Sequence, residues 1–99
     1  MSDDSRRFVI AYDIVDDRRR SRVAKCLQSY RVRVQFSVFL VDTRPAKLMR
    51  LLALLDDRIE SSEDSVMVCD LGPVHALTTS TLLYLGNSRA EPPRQSIII

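Results

Sequence analysis

An aspartate closes the first apolar run of this 99-residue chain. Asp13 directly follows residues 8–12, which are rich in strand-forming side chains. One interpretation is a turn aspartate whose carboxylate accepts hydrogen bonds from its own loop. The other is a metal ligand, because Mg²⁺ takes oxygen ligands, keeps several waters and needs only one or two carboxylates. Such an ion could activate a water for attack on a phosphodiester.

Symmetry would double this carboxylate. If two subunits meet about a two-fold axis at this strand end, Asp13 lies beside its own copy, and one carboxylate per chain becomes two per site. We therefore expect Asp13 to seat a divalent ion at the axis of a homodimer, with Mg²⁺ as the cofactor and Mn²⁺ as a substitute.

Arginines follow the aspartate at short spacing. Guanidinium groups bind phosphate oxygens bidentately, and a cluster of them stands at Arg18, Arg19, Arg20 and Arg22. They cannot all lie on one side of a helix, so only some can reach one ligand. Residues 1–33 hold nine Lys/Arg against five Asp, whereas residues 34–99 hold six against eight acidic residues. This asymmetry favours a phosphate-bearing partner, although a solvated helix face explains the same arginines.

The remaining candidates favour structural roles. Asp16 and Asp17 are typical of a helix start, and His75 stands alone in a predicted loop, where a general-base role is the weaker interpretation. Cys26 and Cys69 lack a CxxC spacing, so the sequence predicts two buried, reduced thiols in a cytoplasmic protein and no zinc site or disulfide framework. There is no Gly-rich phosphate loop.

The elements that must position these side chains can be read from hydrophobic periodicity. We expect a strand over residues 8–12, a helix over 18–29, a strand over 32–41 that is bent or split in two, a helix over 45–60, a strand over 65–71 and a short strand over 81–85. The buried helix stripes are predicted at Val23, Cys26, Leu27 and Tyr30, and at Leu48, Leu51, Leu52, Leu55 and Ile59.

This order predicts one α+β domain over residues 1–86, a ferredoxin-like βαββαβ sandwich with two helices on one face of an antiparallel sheet. In that sheet Asp70 lies at the opposite edge from Asp13. The strand near residues 81–85 is surplus and is expected to complete a partner's sheet, which again indicates a homodimer. Residues 87–99 form a tail, partly disordered or paired with a sheet edge. No apolar run is long enough for a membrane span, and no signal peptide is visible, so we expect no membrane association.

Three stretches together resemble one known family. Residues 12–20, 34–39 and 63–66 are similar, in order and spacing, to the CRISPR-associated Cas-two family, the small endoribonuclease-like protein of CRISPR adaptation. The resemblance implies a ferredoxin-like homodimer with an exchanged final strand. It also implies divalent-metal-dependent endonuclease activity in some members, on single-stranded RNA or duplex DNA. A further implication is a scaffold role, in which the dimer sits between subunits of the CRISPR integrase.

The same resemblance assigns site residues by motif. Asp13 matches the metal aspartate and Tyr12 its neighbour, while Arg20 and Arg22 match arginines of the first helix. Two more matches are Arg33, before the Val-Gln pair, and Phe39, the aromatic of the Ser-Val-Phe run. The chain departs from many relatives at Leu40, where they have Glu, and at Tyr30–Arg31, where they have Gly.

Two functions therefore remain open from the sequence. The first is a metal-dependent endonuclease with Asp13, Tyr12, Arg20, Arg33 and Phe39 at its catalytic site and with Arg18, Arg19 and Arg22 binding nucleic acid. The alternative is a non-catalytic DNA-binding scaffold that bridges integrase subunits during spacer acquisition. A third interpretation, a regulatory domain that binds a small ligand, lacks a ligand-binding loop rich in glycine.

Overall fold

A computed structural model describes residues 4–28, 32–78, 83, 85 and 86, and for residues 32–35 it describes the backbone alone. The elements in chain order are β1 (Arg6–Asp13), α1 (Asp17–Gln28), β2 (Val32–Gln35), β3 (Val38–Thr43), α2 (Pro45–Asp56) and β4 (Ser65–Pro73), followed by a 3₁₀ turn over Val74–Ala76. The predicted strand near residues 81–85 and the tail over residues 87–99 lie outside the described residues, apart from Leu83, Leu85 and Gly86.

The four strands form one sheet in the order β2-β3-β1-β4, and each neighbouring pair is antiparallel. β1 lies inside the sheet between β3 and β4, and Phe8, Ile10 and Tyr12 are buried at alternate positions along it. These side chains share one core with residues of both helices, so both helices pack on the same face. The α+β, ferredoxin-like prediction is confirmed.

Among the described residues, the opposite face of the sheet carries no helix. Strand alternation and register place on it Val9, Ala11 and Asp13 of β1, Val38 and Leu40 of β3, and Met67 and Cys69 of β4. We call this set the helix-free face. Met67 is 61% exposed there. Cys69 is also exposed, so the prediction that both cysteines are buried was wrong for Cys69, because edge strand β4 turns it away from the core.

The observed bounds of two elements differ from the sequence predictions. The strand predicted over residues 32–41 is split by a turn at Phe36 and Ser37. α2 ends at Asp56, four residues before its predicted end, and the N–H of Arg58 already donates to the carbonyl of Leu55, three residues back (2.9 Å). Within the described residues, neither helix is long and apolar enough to cross a membrane.

Candidate metal and nucleic-acid site

Asp13 is the last residue of β1 and lies opposite Ser65, the first residue of β4. Its carboxylate is exposed at the edge of the helix-free face, because the preceding residue, Tyr12, points into the core. Asp70 stands at the other end of the sheet, where its carboxylate accepts a hydrogen bond from Arg6 (2.8 Å). The predicted separation of the two aspartates is therefore confirmed.

Tyr12 fixes the β2–β3 turn against the end of β1. Its N–H donates to the carbonyl of Ser37 (3.1 Å), and its hydroxyl donates to the carbonyl of Phe36 (3.3 Å). Its ring stacks on Phe39 at 6.2 Å between centroids. Phe39 is fully buried, so within one protomer any part it plays at the site acts through Tyr12.

Asp64 anchors the loop that follows Asp13. Its side chain has no exposed surface, and its carboxylate accepts hydrogen bonds from the N–H of Val15 (3.2 Å), the N–H of Glu60 (2.9 Å) and Nε of Arg19 (2.7 Å). The Arg19 hydrogen bond, opposed by desolvation, is the main reason why the pKa of Asp64 falls from 3.8 to about 2. One carboxylate thus joins the β1–α1 loop to the loop before β4.

Arg19, which the sequence predicts to bind nucleic acid, is paired with Asp64 within the protein. Its guanidinium group is held by Asp64 and lies 3.7 Å from Glu63, and these carboxylates raise the pKa of Arg19. Its N–H donates to the carboxylate of Asp16 (3.0 Å), which lowers the pKa of Asp16. Asp16 therefore caps α1, as its position before the helix indicated.

Arg20 braces the same loop from the other side. Its Nε donates to the carbonyl of Ile14 (3.2 Å) and its Nη2 to that of Val15 (3.3 Å). Its Nη1 lies 2.8 Å from the carboxylate of Asp17, and the side chain remains 38% exposed. Arg20 can therefore hold the loop and still present positive charge to solvent.

The other predicted arginines stand apart from this bracing network. Arg18 and Arg22 are exposed on α1. Arg33 lies on β2, where its backbone pairs with Phe39, and its side chain is outside the described residues.

A cavity of about 330 Å³ opens between α1 and the β2–β3 turn. We call it the α1 cavity, and its lining consists of Tyr12, Asp17, Arg20, Ser21, Ala24 and Phe36. The structure thus brings Tyr12 and Arg20 together, while Asp13, the next residue along β1, belongs to the opposite face of the sheet.

A family model described as CRISPR associated protein Cas2 matches residues 6–75. The chain belongs to the Cas2 family. A Synechocystis protein named CRISPR-associated endoribonuclease Cas2 3 is 44% identical over 92 residues, which cover 93% of this chain and 97% of that protein. A Rhodospirillum rubrum protein named CRISPR-associated endoribonuclease Cas2 4 is 48% identical over 62 residues, and that match covers 63% of this chain but 50% of the relative.

Solved structures carry the same fold. The chain resembles a crystal structure of Cas2 with a TM-score of 0.72 and 26% identity, over 94% of this chain and 99% of that one. It also resembles Streptococcus pyogenes Cas2 with a TM-score of 0.67 and 25% identity, over 81% of this chain and 99% of that one.

The Cas2 motifs fall around the end of β1, but one member had no role assigned from sequence. Asp64 stood in the third motif without a function, because its partners Val15 and Arg19 are 49 and 45 residues away along the chain. The sequence did hold one indication of this role: Asp64 stands directly before a predicted strand, and the chain has a dense arginine cluster that could supply a partner. His75 lies in the 3₁₀ turn beside the start of β1, at the far end from Asp13.

The donor set at Asp13 is small. Among the residues that the structure describes, no three His, Cys, Asp or Glu side chains are grouped so that they could hold a metal ion. Asp13 thus offers an exposed carboxylate that belongs to no three-ligand group among the described residues. One carboxylate leaves most positions of a hydrated Mg²⁺ to water, and a second carboxylate from another subunit would share the ion.

Proposed function

We propose that this Cas2 chain is a metal-dependent endonuclease of CRISPR adaptation that cleaves phosphodiesters of single-stranded RNA or of DNA. The observation that carries the proposal is the position of Asp13, exposed at the end of β1 on the helix-free face. The naming of its Synechocystis relative as an endoribonuclease supports the activity. Its two cysteines form no disulfide, which suits the reducing cytoplasm, where we place the protein.

The active unit is proposed to be a homodimer that packs through the helix-free face. Val9, Val38 and Met67 give this face an apolar surface, and covering it with a second copy would remove that surface from water. β4 is an edge strand among the described residues. The strand predicted over residues 81–85 would pair with this edge in the partner subunit.

In such a dimer the Asp13 carboxylates of the two subunits would together hold one divalent ion. Bound there, Mg²⁺ or Mn²⁺ would supply a Lewis acid and lower the pKa of a bound water. The residues present fit this ion, because Asp13 of each subunit would contribute an exposed carboxylate, the oxygen donor that Mg²⁺ and Mn²⁺ prefer.

The chain's own residues would bind and orient the nucleic acid. The exposed guanidinium groups of Arg18 and Arg22 would bind backbone phosphates, and Arg33 would stabilise charge on the strand being cut. Arg20 holds the carbonyls of Ile14 and Val15, directly after Asp13. Its role is to keep the loop rigid, and Phe39 acts similarly by packing against Tyr12.

The test compares two aspartates of one sheet. With labelled single-stranded RNA and Mg²⁺, Asp13→Asn is expected to lower the cleavage rate by at least about 100-fold, since even indirect supports of a metal typically cost 10–100-fold. Asp70→Asn is the control, because it removes a half-exposed carboxylate at the opposite end of the sheet. Both variants should elute as the wild-type dimer, and cleavage by Asp13→Asn at the wild-type rate would disprove the proposed site.

A second function is favoured by the exposed basic side of α1. Arg18, Arg22 and Lys25 follow each other at helical spacing and are all exposed, independently of Asp13. They could hold duplex DNA while the dimer bridges integrase subunits. In that case Asp13→Asn would retain spacer integration in a reconstituted system although it loses RNA cleavage.

A further inference from the structure

The β2–β3 turn presents an aromatic ring at the α1 cavity. Phe36 is 66% exposed, although a phenylalanine this exposed forgoes most of its burial energy. Its backbone is nevertheless held to β1 through the hydrogen bonds from Tyr12 to the carbonyls of Phe36 and Ser37. The backbone of Phe36 is thus held in place while most of its side chain is exposed.

The cavity beside this ring combines an apolar wall with polar groups. Its volume of about 330 Å³ is at the lower end of the roughly 300–1,000 Å³ of small-ligand pockets. Asp17, Arg20 and Ser21 line it with a carboxylate, a guanidinium group and a hydroxyl. These groups can accept and donate hydrogen bonds to the edge of a planar heterocycle.

Positive charge continues from the cavity along α1. Arg18 lies three residues before Ser21 and Lys25 four residues after it, so both share the side of the helix that carries this lining residue. Both side chains are exposed. An exposed ring across a cavity from a helix side that carries two cations fits a flat base with a phosphate on either side.

We propose that the α1 cavity binds one unpaired nucleotide, with its base stacked on Phe36 and its flanking phosphates at Arg18 and Lys25. This inference rests on the proposed nuclease function and names how the strand is chosen. A base inside a duplex is paired and stacked, so it cannot enter without being extruded. Tyr12 lines the cavity and Asp13 follows it on the opposite face of the sheet, so a strand bound in the cavity would pass around this end of β1 to reach the proposed metal.

Binding is measured by fluorescence anisotropy with single-stranded RNA, single-stranded DNA and a duplex of one sequence. EDTA is present so that the strands stay intact. Phe36→Ala is expected to weaken single-strand binding about tenfold, which is the loss of one stacked base. Phe36→Tyr should bind like the wild type because it keeps the ring.

Met49→Ala is the matched control, because Met49 is 65% exposed but lies on α2, outside the cavity lining. A second readout places 2-aminopurine in the strand. Its fluorescence should be quenched by stacking in the wild type and in Phe36→Tyr, and not in Phe36→Ala. A loss confined to RNA would identify RNA as the ligand, and equal losses would show that the cavity does not read the sugar.

The result is separable from that for the proposed nuclease. If Asp13-dependent cleavage is found but Phe36→Ala binds single strands like the wild type, the base site is wrong and the nuclease stands. If the wild type does not cleave but shows Phe36-dependent quenching, the base site stands alone. Equal weakening of duplex binding by Phe36→Ala would overturn the inference, as would a wild type without affinity for single strands.

Discussion

At the scale of single residues, the loop after Asp13 depends on one carboxylate. Asp64 joins Val15, Arg19 and Glu60 although it is fully buried, and its pKa lies at about 2 because Arg19 donates to it. A buried carboxylate without partners would be protonated or excluded from the core. The charge of Asp64 is therefore part of the fold, and the position of the β1–α1 loop follows from it.

This makes the contribution of Asp64 dependent on pH. Its folded-state pKa of about 2 is below its ordinary value of 3.8, so the carboxylate stabilises the fold above about pH 4 and loses that effect as the pH falls towards 2. In urea unfolding, the free energy of unfolding of Asp64→Asn should lie well below that of the wild type at pH 7. The difference should shrink as the pH falls from about 4 to 2. Asp70→Asn should change stability less, because its ion pair with Arg6 is half-exposed. A difference between wild type and Asp64→Asn that stays constant from pH 7 to 2 would contradict this role.

The role of a single residue could be predicted from sequence when its hydrogen-bond partner is close along the chain. Asp16 was recognised as a cap because its partner Arg19 is three residues away. The role of Asp64 was not recognised, since its partners come from another loop and spacing along the chain carries no information about them. The exposed ring of Phe36 was missed for a similar reason, because strand alternation alone continues through the turn.

At the scale of elements, α2 shows how the periodic pattern determines packing. Leu48, Leu51 and Leu55 are buried against the sheet, while Leu54 on the same helix is 40% exposed. The stripe could be read from sequence because its spacing matches the helical repeat. The end of the helix could not, because the change at Arg58 to a backbone hydrogen bond with Leu55, three residues back, leaves no signal in the hydrophobic pattern.

Two leucines of α2 provide a matched comparison. Leu51→Ala is expected to lower the free energy of unfolding by about 2–5 kcal/mol, because it leaves a cavity in the core. Leu54→Ala makes the same chemical change on the outer side and should cost under about 1 kcal/mol. Chemical denaturation at pH 7 measures both. Similar losses for the two variants would mean that α2 packs with a different face.

At the scale of the whole molecule, the sheet has one face covered by helices and one without. The helix-free face ends in charge on both sides, with Asp13 at one end and the Arg7–Asp42 ion pair at the other. Between them lie apolar side chains such as Val9 and Met67. The fold predicted from sequence already placed both helices on one face, but the side chains left on the other face follow from the strand register.

Met67→Lys should therefore break the proposed dimer. A lysine charge at an apolar interface must be desolvated without a partner, so the dimer should weaken by at least about two orders of magnitude. Met49→Lys is the control, because Met49 on α2 is 65% exposed and Met67 is 61% exposed. Sedimentation of both variants across a concentration series distinguishes them.

The same pair of variants links assembly to chemistry. If the metal needs a carboxylate from each subunit, Met67→Lys should lose RNA cleavage in proportion to its monomer fraction and recover it at concentrations where the dimer re-forms. Binding of an unpaired base should persist in that monomer, because every lining residue of the α1 cavity comes from one protomer. A fully monomeric Met67→Lys that cleaves at the wild-type rate would show that Asp13 acts without its copy, and that the symmetric metal site is wrong.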